Sequence, residues 1–172
     1  AYVINHAETK YILVDETLIP IAEGVMDQCK TVKGYIVMTD KDLGEINTKL
    51  SPVYSYEKIV ESADEEIKWP VMDEKSAYGA CYTTGTTGRP KGVYYSHRDV
   101  YLHAMAIGTN AEITTRDCFY QLVPMFHALG WGLPHAAFYI GAKYVLPGMY
   151  NIADLGSLAE PLVSEGVSAT AG

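Results

Sequence analysis

At 172 residues, with 48% hydrophobic and 20% charged side chains, the chain has the length of one domain, or of one and part of another, and a composition that excludes disordered and collagen-like classes. A formal charge of −8 argues against nucleic acid as the main partner, since such proteins need a basic stripe to displace counterions; the acid gathers at Glu61, Asp64, Glu65, Glu66, Asp73 and Glu74, as on a solvated face. Cys29, Cys81 and Cys118 are isolated and odd in number, so neither a disulfide framework nor a zinc site is indicated, and with no signal-like start and no apolar run of bilayer length the expectation is a soluble, cytoplasmic, not transmembrane protein.

Residue 1 is not methionine, and residues 1–8 (AYVINHAE) read as the tail of a helix whose beginning is missing, so the chain is expected to be an excised piece. Residues 10–15 (KYILVD) form an apolar run bounded by charge, as in a parallel strand buried on both faces. A helix is predicted over 16–29, a strand over 35–39, a connection over 40–52, a short helix over 56–62 and a loop over 68–75, where Pro70 sits. A strand over 77–83 delivers a glycine-rich loop, and a strand over 93–95 leaves it. Ser96 with Asp99 three residues on has the form of a capping box, and Val100, Tyr101, Ala104, Ile107 and Gly108 then share one helical face. The polar stretch 109–117 marks a boundary, which divides the chain into subdomains at 1–112 and 113–172. A strand over 119–123, a helix within 127–140, a strand over 144–146, a helix within 152–165 and a strand over 168–171 complete the chain. Strands alternating with helices of these lengths predict an α/β fold of parallel sheets flanked by helices.

The densest chemistry lies in residues 82–92, YTTGTTGRPKG, which hold three glycines, four threonines and a lysine. Gly85 and Gly88 permit backbone angles that turn successive N–H groups toward one anion. Thr83, Thr84, Thr86 and Thr87 add donors, Lys91 adds a full positive charge, and Pro90 stiffens the exit. A nucleotide triphosphate needs its charge neutralised and its donors fixed in place, and this run supplies both. A Walker A loop is excluded as the pattern, because there a Gly-Lys-Ser/Thr sequence leads directly into a helix, whereas here Lys91 follows Pro90 and residues 92–95 read as strand. A glycine-threonine surface hairpin without a ligand is the plain alternative.

This run, with Gly92-Val93 and Ser96-His97-Arg98 after it, resembles the phosphate-binding signature of the acyl-adenylate-forming (AMP-binding) enzymes, the superfamily of acyl-CoA synthetases, luciferases and peptide-synthetase adenylation domains. Residues 124–134 (PMFHALGWGLP) resemble the acyl and adenylate pocket of its fatty-acid branch, and Gly141-Ala142-Lys143 and Leu146-Pro147-Gly148 continue the likeness. The resemblance implies part of the N-terminal domain of an AMP-forming ligase, most like medium- or long-chain fatty acyl-CoA synthetases. By that resemblance, ATP activates a carboxylic acid to an acyl-adenylate, and coenzyme A takes the acyl group. Residues 83–91 then contact the phosphates, Thr83 stands near Mg²⁺, and the second metal ligand is a carboxylate beyond residue 172.

His127 between Phe126 and Ala128 reads by itself as a packed or capping histidine; the resemblance instead places it beside the α-phosphate as a donor to developing oxygen charge. Trp131, four residues on, shares a side of any helix there, and the resemblance makes it the gate of the acyl tunnel, with Gly130 and Gly132 giving its ring room; a buried core tryptophan is the other reading. Met125, Phe126 and Leu129 line the pocket or pack beneath it. His97 follows the loop and braces it, while His6, His103 and His135 carry no such support. The 14 tyrosines, with Tyr94-Tyr95 beside the loop, read as packing with polar tips. An aryl, acetyl or amino acid substrate stays open, as does a non-catalytic nucleotide-binding module. A piece cut through a parallel sheet exposes strand edges, so self-association is expected, as is inactivity of the piece alone.

Overall fold

Apolar runs bounded by charge become the strands of three small sheets in the structure, a computed structural model that describes residues 1–84, 88–148 and 155–171. The chain divides into two compact units, Ala1–Pro70 and Val71–Gly172. In the first, helix α1 (Tyr2–His6) precedes strand β1 (Tyr11–Asp15), helix α2 (Ile19–Glu23), strand β2 (Gly34–Met38), strand β3 (Val53–Ser55) and helix α3 (Tyr56–Glu61). The sheet has the order β1-β2-β3 and is parallel throughout, with Leu13 opposite Ile36 and Val37 opposite Ser55. Val14, Ile19, Tyr35, Val37 and Leu50 form its core.

Two expectations change here. β1 is not buried on both faces: Ile12 and Val14 turn inward, while Tyr11 and Leu13 are exposed, because the described core of this unit gathers on one side of the sheet. The helix expected over 16–29 is broken into a 3₁₀ turn at Glu16–Leu18, α2, and a second 3₁₀ turn at Met26–Gln28. Pro20 lacks the N–H that a continuing helix needs and so sits in the first turn of α2. Gly24, a poor helix former, stands at its end. Side-chain bonds hold the connection after β2 in place of helix. Glu23 accepts from Thr48 Oγ1 at 2.8 Å and from the Lys49 N–H at 2.6 Å, and Glu16 accepts from Thr39 Oγ1 at 2.6 Å and pairs with Lys41.

In the second unit, strands β4 (Ala77–Thr83) and β5 (Lys91–Ser96) precede helix α4 (His97–Asn110), strand β6 (Cys118–Gln121), helix α5 (Leu133–Ile140), strand β7 (Lys143–Val145), helix α6 (Leu155–Ser164) and strand β8 (Ala169–Ala171). β6 lies between β7 and β8 and is parallel to both. Phe119, Leu133 and Ala137 form the core between this sheet and α5. The pair β4-β5 departs from the expected parallel pattern and is antiparallel. Only residues 84–90 separate the two strands, fewer than a parallel crossover requires. The boundary drawn at 112/113 lies inside this unit, where α4 and α5, from either side of it, pack together: Tyr101 meets Tyr139 edge-on at 5.4 Å, and a Cβ on Gly108 would stand 2.6 Å from Ile140 Cδ1. No described helix is long and apolar enough to cross a membrane.

Candidate active site

The β4-β5 hairpin carries the described part of the glycine-threonine loop. Thr83 ends β4 directly opposite Lys91, the first residue of β5, so hydroxyl and ammonium flank the connection from paired positions. Thr83, Thr84, Gly88 and Lys91 are all exposed, and Gly88 adopts φ 156°, a conformation that side chains disfavour, with no atom of the described residues beyond its chain neighbours within 4 Å of where a Cβ would stand. Gly85, Thr86 and Thr87 lie outside the described residues. Gly92 also has a role that the sequence did not signal: a Cβ there would come within 3.1 Å of the Tyr82 ring across the hairpin, so the glycine seats that ring.

β5 runs straight into α4 through the expected capping box. The Asp99 N–H donates to Ser96 Oγ at 3.1 Å, and the Ser96 N–H donates back to the Asp99 carboxylate at 2.9 Å. The Ser96 backbone and hydroxyl donors hold the Asp99 carboxyl below its ordinary range. The segment before β4 fastens the same helix end, since the His97 and Arg98 N–H groups donate to the Ser76 and Glu74 carbonyls and Arg98 Nη1 reaches Glu74 at 2.9 Å. Tyr78 stands edge-on to His97 at 5.3 Å, at the end of the hairpin away from the loop that His97 was expected to brace.

After β6, the helix expected within 127–140 forms as α5 (Leu133–Ile140), and the backbone around His127 and Trp131 that precedes it is not part of it. Ala128, Leu129, Gly130, Trp131 and Gly132 have φ of 47°, 58°, 65°, 57° and 73°, a left-handed turn, and α5 begins only at Leu133 with Pro134 in its first turn. A non-glycine residue in this region costs about 1–2 kcal/mol, so the surroundings must hold Ala128, Leu129 and Trp131 there. The His127 and Trp131 rings are still neighbours, tilted at 48° with centroids 6.2 Å apart, but the turn brings them together and not helical spacing. Gly130 and Gly132 are buried, and the space beside them is taken: a Cβ would stand 3.0 Å from Gln121 Nε2 at the first and 2.4 Å from His103 Cδ2 at the second. Both glycines let backbone pass close to other groups.

Between α4 and this turn lies an apolar cavity of about 760 Å³, lined by Tyr95, Asp99, Val100, His103, Ile107, Ala128, Leu129, Trp131, Gly132, Leu133 and His135. This is the size of a small-molecule site. Of the predicted pocket residues it gathers Leu129, Trp131 and Gly132; Met125, Phe126, which is 86% exposed, and His127 are not in its lining. Sequence reasoning missed His103 and His135, which stand on its wall with Asp99 and Tyr95. His135 Nε2 meets the Tyr78 hydroxyl at 2.8 Å, and its Nδ1 is buried without a partner among the described residues. Burial, with His103 nearby, lowers the affinity of the His135 ring for a proton. No sequence signal marked either histidine, because only the fold brings α4 against the turn. The described residues contain no group of three or more His, Cys, Asp or Glu side chains able to hold a metal ion.

A family model described as AMP-binding enzyme matches residues 1–172. The medium-chain-fatty-acid–CoA ligase of Ectopseudomonas oleovorans is 40% identical over 173 residues, which cover 99% of this chain and 31% of that protein. The long-chain-fatty-acid–CoA ligase of Thermus thermophilus is 40% identical over 174 residues, covering 100% and 30%. The chain therefore spans about a third of the length of these curated relatives. Among solved structures, a long-chain-fatty-acid-CoA ligase from Archaeoglobus fulgidus matches with TM-score 0.77 at 22% identity, over 97% of this chain and 30% of the other. An anthranilate CoA ligase in complex with anthranoyl-AMP matches with TM-score 0.73 at 18% identity, over 92% and 30%. At those identities the likeness is one of fold.

Proposed function

Because the chain belongs to the AMP-binding enzyme family, we propose that the protein containing it is an AMP-forming acyl-CoA synthetase acting on fatty acids. In the first step a carboxylate oxygen of the acid bonds to the α-phosphorus of ATP and the bond to pyrophosphate breaks. In the second, the thiol of coenzyme A attacks the acyl carbon, loses its proton, and AMP departs. The observation that carries this reading is the pairing of Thr83 with Lys91 at the mouth of the glycine-threonine loop, in a chain 40% identical to two fatty-acid–CoA ligases.

Positioning and charge neutralisation dominate phosphoryl chemistry. Lys91 is assigned to the β and γ phosphates, with Thr83, Thr84, Gly85, Thr86, Thr87 and Gly88 supplying hydroxyl and backbone donors. Mg²⁺ would arrive as part of the substrate MgATP, where Thr83, at the end of β4, would lend it one oxygen. His127 is assigned to the oxygens around the α-phosphorus. Trp131, 47% exposed and on the cavity wall, is assigned to the gate of the acyl pocket, with Gly132 beside it and Phe126 at its approach. Three free cysteines, Cys29 and Cys118 buried, agree with a reducing cytoplasm.

ATP–pyrophosphate exchange by the full-length protein across a panel of fatty, aryl, acetyl and amino acids tests the proposal. Exchange that depends on a fatty acid, followed by acyl-CoA formation, is the expected outcome. Exchange with another acid class alone redirects the substrate, and ATP binding with no acid-dependent exchange defeats the enzymatic reading. Residues 1–172 alone are expected to bind ATP weakly and to form no acyl-CoA.

A further inference from the structure

His103 was passed over in the sequence, yet it touches the turn that carries the proposed gate. Its Nε2 lies 3.3 Å from the Trp131 carbonyl oxygen, and its ring fills the space where a Gly132 side chain would stand: a Cβ built there would be 2.4 Å from His103 Cδ2 and 3.2 Å from Ile107 Cδ1. The turn it meets holds three non-glycine residues at positive φ, and such backbone persists only where its surroundings over-determine it. Three other contacts help hold the turn: the Gly130 N–H donates to the His127 carbonyl at 2.9 Å, Gln121 Nε2 packs against Gly130, and the Leu133 N–H donates to the Gly130 carbonyl. None of these reaches the Trp131 carbonyl. The contact from α4 does.

We propose that His103 is a positioning residue, which donates from Nε2 to the Trp131 carbonyl and thereby fixes the left-handed turn that sets the Trp131 ring on the cavity wall and against His127. The proposal rests on the reading of Trp131 as a gate only for its consequence in catalysis. The positioning itself is a property of the fold. Two features of the site, the donor atom and the ring's bulk, are separable by substitution. Leucine at position 103 keeps apolar bulk and removes the donor, while glutamine returns an N–H donor near the position of Nε2.

The test uses the full-length protein labelled with 5-fluorotryptophan, with the Trp131 ¹⁹F resonance assigned by its disappearance in Trp131→Phe. In His103→Leu, checked as folded by circular dichroism, that resonance is expected to move by more than its own linewidth, and in His103→Gln it is expected to stay near the parent position. An unmoved resonance in His103→Leu overturns the proposal. Equal displacement in both variants overturns it as well, because the ring's shape and not its donor would then be holding the turn. Should His103→Leu fail to fold, His103→Gln alone decides: a resonance displaced by more than its linewidth in the folded protein overturns the proposal, and one retained supports it. Because the resonance reports Trp131 with or without turnover, failure of the functional proposal leaves this test intact.

Discussion

Lys91 sits opposite Thr83 with its ammonium exposed at the mouth of the loop, the arrangement expected of a cation that waits for a polyphosphate. Its proposed work is done on charge that grows as pyrophosphate leaves, and removal of one such preorganised donor commonly costs about 10²–10³ in rate. Lys91→Ala in the full-length protein is therefore expected to slow ATP–pyrophosphate exchange by roughly 10²-fold, while the thermal midpoint stays near that of the parent, since the side chain is exposed. Lys91→Arg keeps the charge but spreads it over a planar fork, so partial recovery is expected. An exchange rate within twofold of the parent in Lys91→Ala would remove Lys91 from the phosphate site. At this scale the sequence was informative where chemistry is dense: the glycines, threonines and lysine mark the loop as a candidate phosphate site, and the hairpin sets Thr83 opposite Lys91. It was silent on His103, His135 and Tyr78, because each acquires its role from a contact distant in sequence, such as the 2.8 Å Tyr78–His135 bond.

Among the elements, those set by local rules were legible. The capping box at Ser96 and Asp99 appears as expected, and the strand over 77–83 has the same bounds in the structure. Elements that depend on what surrounds them were not: the helix within 127–140 starts only at Leu133, and a left-handed turn precedes it around Trp131, because contacts from α4 and β6 hold a backbone that local propensity disfavours. The antiparallel pairing of β4 and β5 was legible only through the shortness of the loop between them. The cap allows a test at this scale. Ser96→Ala removes the acceptor for the Asp99 N–H and a donor to its carboxylate, and loss of such a cap costs about 1 kcal/mol, or roughly 2–4 °C in melting midpoint for a chain of this size. Ser96→Asp restores an acceptor for the N–H but sets a like charge beside Asp99, so less than full recovery is expected in a thermal melt. A melting midpoint unchanged in Ser96→Ala would show that the Glu74 and Ser76 contacts hold the helix start without the cap.

For the molecule as a whole, α/β architecture and family were readable because strand and helix patterns alternate along the chain and two motif blocks stand in order, whereas the unit boundary at 70/71 falls in the acidic stretch with its Pro70 loop, which reads equally as a solvated connection inside one unit. Charge supplies a property that only the folded chain shows. Asp15, Glu16, Glu23, Asp99 and Asp117 all have carboxyls held below their ordinary ranges by donors from Thr17, Lys41, Lys49, Ser96 and Thr114 respectively. Several of these bonds join segments far apart in sequence: Glu23 reaches Thr48 and Lys49, and Asp117 accepts from Ser168 Oγ at 2.8 Å, fastening the start of β6 to the entry of β8. Because each folded-state value lies below the unfolded one, the folded chain binds fewer protons than the unfolded chain as these groups titrate, and stability rises with pH through that window. The contribution is complete above the ordinary values of 3.8 for aspartate and 4.5 for glutamate and is lost as pH falls through the depressed ones. Denaturant titrations of the full-length protein between pH 7 and pH 3 are thus expected to show a stability plateau above about pH 5 and a decline below it. In Asp117→Asn that decline is expected to be shallower, because one linked proton has been removed. An equally steep acid limb in that variant would mean that Asp117 titrates alike in the folded and unfolded chains, and that the bonds from Thr114 and Ser168 do not favour its ionised form.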